Sequence, residues 1–295
     1  SGFLIAASWL NSRSVLDFAA KRALRIMPAL IVSVLFVVLL IGPLATELPL
    51  GDYFTAPGTL TYLANAALIT EFRLPGVFEA NPFPHSVNGS LWTLPYEVLM
   101  YVTVLTLGIV KVFGRSSALI GLALMVGVHF HLMPIYEMQS DLLRKATRLG
   151  MFFYAGVLLY LYRHVVRWNW KIAALLVAAN LVSARSDHWE LVHVLTLPYL
   201  TLFLAQLRIP RLCGFGKAGD FSYGLYIFSF PVQQLLMHWT DGQLPLIPFM
   251  LLGFAASLAL AVLSWHLVES PALRLKRYLP RQSPSTAPVV ATSNR

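Results

Sequence analysis

Apolar runs recur along this chain, and several are long enough to cross a bilayer, which takes about 20 helical residues. The stretch from Pro245 to Val268, "PLIPFMLLGFAASLALAVLSWHLV", holds no Asp, Glu, Lys or Arg. Lipid offers the backbone no hydrogen bonds, so such a chain can fold only as helices or as a closed barrel. The runs are rich in Leu, Val, Ala and Phe and exceed strand length, which selects helices. Only 12% of the residues are charged, against about 25% in soluble domains. The mean hydropathy of +0.67 agrees.

Candidate spans lie at 26–45, 91–110, 117–136, 148–162, 172–184, 190–206, 221–239 and 245–268. The opening "SGFLIAASWL" reads as the last turns of a helix that starts earlier in a longer protein. The stretch 59–70 is too short and too polar for a span. The expected architecture is all-α, a polytopic transmembrane bundle over residues 1–278, followed by a Ser/Pro/Thr-rich tail, 279–295, expected to be disordered. No internal repeat appears.

Loop charge orients the spans. Arg13, Lys21, Arg22 and Arg25 precede one span. Lys111 with Arg115, Arg163 with Arg167 and Lys171, and Arg208 with Arg211 and Lys217 mark further loops on the same side. Glu47, Asp52, Asp187, Glu190 and Asp241 mark the alternating side. Bases gather in the cytoplasm, which puts the first set and the C-terminus inside. Parity then leaves 46–90 outside as a long, loop-like segment. The net charge of +9 is spread over these short loops rather than over one folded face, so nucleic acid is not an expected partner. The single cysteine, Cys213, excludes an internal disulfide, and no Cys/His grouping has zinc spacing.

Three clusters carry candidate chemistry. In "NGSLWTLPYEVLMYV", Glu97 falls inside an apolar run, where a carboxylate is costly unless paired or wetted. Counting from Leu91 puts it under two turns from the outer surface, with Asn88, Ser90, Trp92, Thr93 and Tyr96 crowded at the same entrance. An interfacial helix start with a snorkelling acid and a polar cavity fit this pattern equally. In "FAAKRALRIMP", Arg22 and Arg25 share a helix face. They serve either as an interfacial anchor or as two guanidinium forks for phosphates. In "GDFSYGLYIFSFPVQQ", Ser222, Tyr226, Ser229 and Gln233 fall close to one face beside Tyr223, a pattern that ordinary interhelical hydrogen bonding also explains. Glu269, at the stop "LVESP", reads as a charge-paired helix end. The histidines are scattered, and none is placed beside Glu97 by sequence.

The succession "SGFLI", R-x-x-R-I-x-P at Arg22, Arg25 and Pro28, "NGSLWTLPYE" at 88–97, "FSYGLYI" at 221–227 and "LVESP" at 267–271 resembles the acyltransferase-3 family. These are integral membrane O-acyltransferases of surface polysaccharides. The resemblance implies a bundle of roughly ten spans, of which about nine are present here. It implies acyl-CoA, most simply acetyl-CoA, as a cytoplasmic donor substrate, with no bound cofactor or metal. The acceptor would be a glycan or lipid-linked sugar met from the other side, and the setting a bacterial plasma membrane. Arg22 and Arg25 would hold donor phosphates, and Asn88, Ser90, Trp92, Tyr96, Ser222, Tyr223 and Tyr226 would line the site. Glu97 would serve the catalytic base, a histidine of a helix preceding Ser1, without which the chain is expected to be inactive. The competing class is a multi-spanning transporter with Glu97 as a proton or ion site.

Overall fold

A computed structural model describes residues 1–136, 140–207 and 218–278. Glu137, Arg208, Arg211, Cys213, Lys217 and the tail expected to be disordered lie outside the described residues.

The described residues are helical, with no strands and one isolated antiparallel bridge between Thr46 and Val77. The helices are α1 (Gly2–Leu10), α2 (Val15–Ala45), α3 (Leu50–Thr55), α4 (Pro57–Tyr62), α5 (Gly89–Ile109), α6 (Arg115–Ile135), α7 (Asp141–Leu161), α8 (Trp170–Ser183), α9 (Trp189–Gln206), α10 (Ser222–Trp239) and α11 (Leu246–Tyr278). Four of them, α2, α5, α6 and α11, are long and apolar enough to cross a membrane by length and composition. On α11, Leu246, Ile247, Met250, Leu251, Phe254 and Leu267 are each 60–72% exposed. Apolar exposure on that scale is untenable in water and natural against lipid.

Local chemistry sets the helix starts. Ser14 accepts from Asp17 N, Ser140 from Leu143 N and Asn169 from Lys171 N, each relieving a backbone donor that the first turn leaves orphaned. Wider π turns interrupt α2 at Val37–Ile41, α6 at Val128–Leu132 and α11 at Trp265–Glu269. Such turns add a residue and re-aim the side chains after them. The principal packing is α10 on α11, α1 and α6 on α7, and α8 on α9.

Small residues permit the closest approaches. A Cβ on Gly108 would fall 1.9 Å from the Trp9 ring, whereas one on Gly114 would meet nothing. Gly108→Ala should therefore force α1 away from α5 and cost about 1–3 kcal/mol, as overpacking does. The expected readout is a lowered aggregation temperature in detergent, with Gly114→Ala unchanged.

Residues 46–90 depart from the sequence expectation. They fold into the bundle instead of forming an outlying loop. Thr46 Oγ1 donates to Pro75 O (2.9 Å), and the buried Tyr53 hydroxyl donates to Val38 O (2.9 Å). The turn Leu63–Ala67 packs on α2, and Leu68 enters an apolar pocket with Phe18, Met27, Val98 and Leu105. The chain then runs along α10. Asn81 Nδ2 donates to Gln234 O (2.9 Å), Gln234 Nε2 donates to Phe83 O (2.7 Å) and Ser86 O (2.6 Å), and Asn88 Nδ2 donates to Ile227 O (2.8 Å). These bonds join residues far apart in sequence, so neither hydropathy nor periodicity betrays them.

This insertion also moves Glu97. Tyr226, which bonds the start of α5, precedes Trp239 by thirteen residues of α10, or about 20 Å at 1.5 Å per residue. Glu97 lies a further turn along. It therefore lies level with the Ser222 end of α10 and far from the Trp239 end, and the segment before α5 packs along the length between.

Candidate active site

Glu97 stands on the first α-helical turn after the Gly89–Thr93 segment, where Pro95 needs no hydrogen-bond partner for its nitrogen. Asn88 is fully buried and caps this start, accepting from Ser90 N (3.2 Å) while its amide reaches α10. The Tyr226 hydroxyl bonds both Ser90 O and Thr93 Oγ1. Helix α5 is thus fixed in height against α10, and Glu97 with it. Tyr101, one turn on, donates its hydroxyl to Glu97 Oε1.

Around the acid opens a cavity of about 630 Å³. Its wall brings together Glu97, Arg22, Arg25, Ser222, Tyr223 and Tyr226, six of the residues singled out by sequence. Asn88, Ser90 and Trp92 are not in that wall. Asn88 and Ser90 hold the helix start, and Trp92 packs edge-on to Tyr96 (5.9 Å) under the Lys145 ammonium (5.4 Å). Tyr96 lines an adjoining hollow of about 270 Å³ that also reaches Glu97. Outside the spans, Lys145 bonds Asp141 (2.8 Å) and holds that carboxyl below its usual range.

The two arginines differ sharply. Arg25 Nη1 meets Glu269 Oε2 at 3.1 Å and Nη2 meets Asp220 Oδ2 at 2.6 Å, between the rings of Tyr223 and Trp265. Glu269 is almost wholly buried at the end of the α11 π turn, and its second oxygen accepts from Ser264 (3.0 Å). Arg25 therefore ties α2 to α10 and α11, with both ends of its fork engaged by carboxylates. Arg22 has no salt-bridge partner among the described residues. Its guanidinium lies over the Tyr101 ring (5.9 Å), and its buried Nε has no hydrogen-bond partner there either. Lys276 completes the basic end of the wall. A guanidinium with no carboxylate partner among the described residues and an ammonium, both lining a cavity, suit an anionic, phosphate-bearing ligand.

Sequence reasoning passed over Tyr101, Asp220, Trp265 and Lys276. Tyr101 was within reach, since i, i+4 on a helix puts its hydroxyl beside Glu97. The others lie 195 to 251 residues beyond Arg25 and have no local signature. His129 lies elsewhere, bonded to Thr147 (2.8 Å) and near Glu190 (3.4 Å). Among the described residues no group of three or more His, Cys, Asp or Glu side chains could hold a metal ion.

A family model described as "Acyltransferase domain" matches residues 1–266. The chain is 28% identical over 294 residues to the "O-acetyl transferase" of Shigella phage Sf6, covering 96% of this chain and 83% of that protein. It is also 28% identical over 317 residues to "Nodulation protein 10" of Rhizobium leguminosarum bv. viciae, covering 95% and 81%. No solved structure matches.

Proposed function

The chain belongs to the acyltransferase-3 family and is an integral membrane acyltransferase, and on that premise we propose that it carries an acetyl or similar group from acyl-CoA to a sugar hydroxyl. The observation that carries the proposal is a cavity whose wall brings the acid Glu97 together with two bases, Arg22 and Lys276, that have no salt-bridge partner among the described residues. The phage relative's name supplies the acetyl group and the oxygen acceptor. The transporter alternative for Glu97 gives way to the acyltransferase match.

In this reading Arg22 and Lys276 take the donor's phosphates at the cytoplasmic end, and Arg25 keeps α2, α10 and α11 in register around them. The thioester lies inward, beside Glu97. The acceptor hydroxyl attacks its carbonyl, the new C–O bond forms, the C–S bond breaks, and coenzyme A leaves as the thiol. The hydroxyl's proton passes to a base. Glu97 orients and charge-pairs that base, which the family resemblance makes a histidine. The Tyr101 hydroxyl holds the carboxylate in place. The acceptor is a glycan or lipid-linked sugar, and the setting a bacterial plasma membrane with the C-terminus in the cytoplasm.

The test is radiolabelled acetyl-CoA supplied to membranes holding the full-length protein, with the glycan fraction then analysed. Base-labile label in glycan is expected. Label absent from glycan while acetyl-CoA is consumed would overturn the acceptor class, and no consumption would overturn the donor.

A further inference from the structure

One wall of the cavity continues along α10. Ser222 and Tyr226 line the cavity and also a second hollow, about 460 Å³, between α10 and α11. Ser229 and Gln233 extend the same face, which climbs about 16 Å from Ser222 to Gln233 at 1.5 Å per residue. Opposite them, Gly253 leaves room for lack of a side chain, and Ser257 lies one turn on. The flanking Met250 and Phe254 are 61% and 60% exposed, so the hollow opens sideways toward lipid.

Two adjacent glutamines sharpen the contrast. Gln234 is buried and fully used, accepting from Asn81 (3.0 Å) and donating to Phe83 O and Ser86 O. Gln233 is exposed into the groove and has no hydrogen-bond partner among the described residues. A carboxamide left facing hydrocarbon is disfavoured, and polar side chains at that depth are retained where a polar ligand passes. The stem of Gln233 packs over Gly253 of α11, while its carboxamide makes no hydrogen bond across to that helix among the described residues.

We propose that this groove receives the sugar head of a lipid-linked acceptor, which enters from the bilayer between α10 and α11. Sugar hydroxyls bond Gln233 and Ser229, the lipid chain stays against the exposed apolar flank, and the head reaches the cavity at Tyr226 and Ser222. The groove opens to hydrocarbon, so it favours a lipid-borne sugar over a soluble one. The inference rests on the acyltransferase reading of the cavity.

The experiment uses the full-length protein in phospholipid nanodiscs and two photoreactive probes. One is polyprenyl-diphosphate-linked N-acetylglucosamine with a diazirine on the sugar; the other is phosphatidylethanolamine with a diazirine on its head group. The sugar probe should crosslink to peptides of α10 and α11. Gln233→Leu should cut that crosslinking at least about fivefold, the scale of losing one or two hydrogen bonds, while Gln233→Asn retains most of it. The phospholipid probe should label the groove weakly and respond to neither variant. Equal labelling by both probes would make the groove a lipid-filled seam, no labelling by either would give it to a partner helix, and indifference of the sugar probe to Gln233→Leu would remove the side chain's role; each overturns the proposal. A wild-type protein that captures the sugar probe in the groove yet consumes no acetyl-CoA would instead overturn the acyltransferase reading of the cavity.

Discussion

Glu97→Gln is expected to lower acyl transfer by at least about 100-fold, the lower end of what a positioned acid–base group contributes, with the protein still folded in the membrane. The amide keeps the size of the side chain and an oxygen for the Tyr101 hydroxyl. It removes the negative charge that would orient and stabilise a protonated base. A purely interfacial acid would need only water, whereas Glu97 stands in the cavity wall and accepts from the Tyr101 hydroxyl. Transfer by Glu97→Gln at the wild-type rate would contradict the site. Tyr101→Phe tests the same bond more gently and should lower turnover without changing the dependence on acyl-CoA concentration.

The second large effect separates the two arginines. Arg22→Ala should raise the KM for acyl-CoA about 10- to 100-fold, the cost of losing one or two charge-assisted hydrogen bonds, with little loss of stability. Arg22→Lys should recover only part, since an ammonium cannot reproduce a planar fork. Arg25→Ala should act mainly on the fold. It leaves Glu269 buried at 2% side-chain exposure without its cation, and breaking one side of a buried pair costs about 3–5 kcal/mol. Asp220, more than half exposed, adds little. The expected result is a protein that aggregates at much lower temperature in detergent, partly restored by adding Glu269→Gln. Equal loss of donor affinity from both alanine variants, with stability unchanged, would return the arginines to a shared phosphate-binding role.

The helices were readable because each apolar run is its own evidence: the stretch from Pro245 to Val268 needs no partner to declare a span. The acid was readable because a carboxylate in such a run is anomalous wherever the helix packs. The pairing around Arg25 was not. Two arginines three residues apart look equivalent on a helix face, and only Asp220 and Glu269, 195 and 244 residues further along, make them different. The segment 46–90 looked like an outer loop for a similar reason. Its polar side chains bond backbone groups on α2 and α10, and composition carries no trace of such partners. Asn88 and Ser90, chosen for lying near the acid in sequence, turn out to fix the helix that carries it.

In the proposed reaction the donor enters from the face of the membrane that carries Ser12, binds at Arg22 and Lys276, and presents its acyl group to Glu97. Sealed vesicles of the full-length protein in both orientations test it most directly, with a cysteine at Ser12 and an impermeant thiol reagent defining which face is outward. Labelled acetyl-CoA is added outside only. Transfer is expected when Ser12 faces outward, and little or none in the opposite orientation. Transfer at equal rates from both orientations, or only with Ser12 inside, would contradict the account.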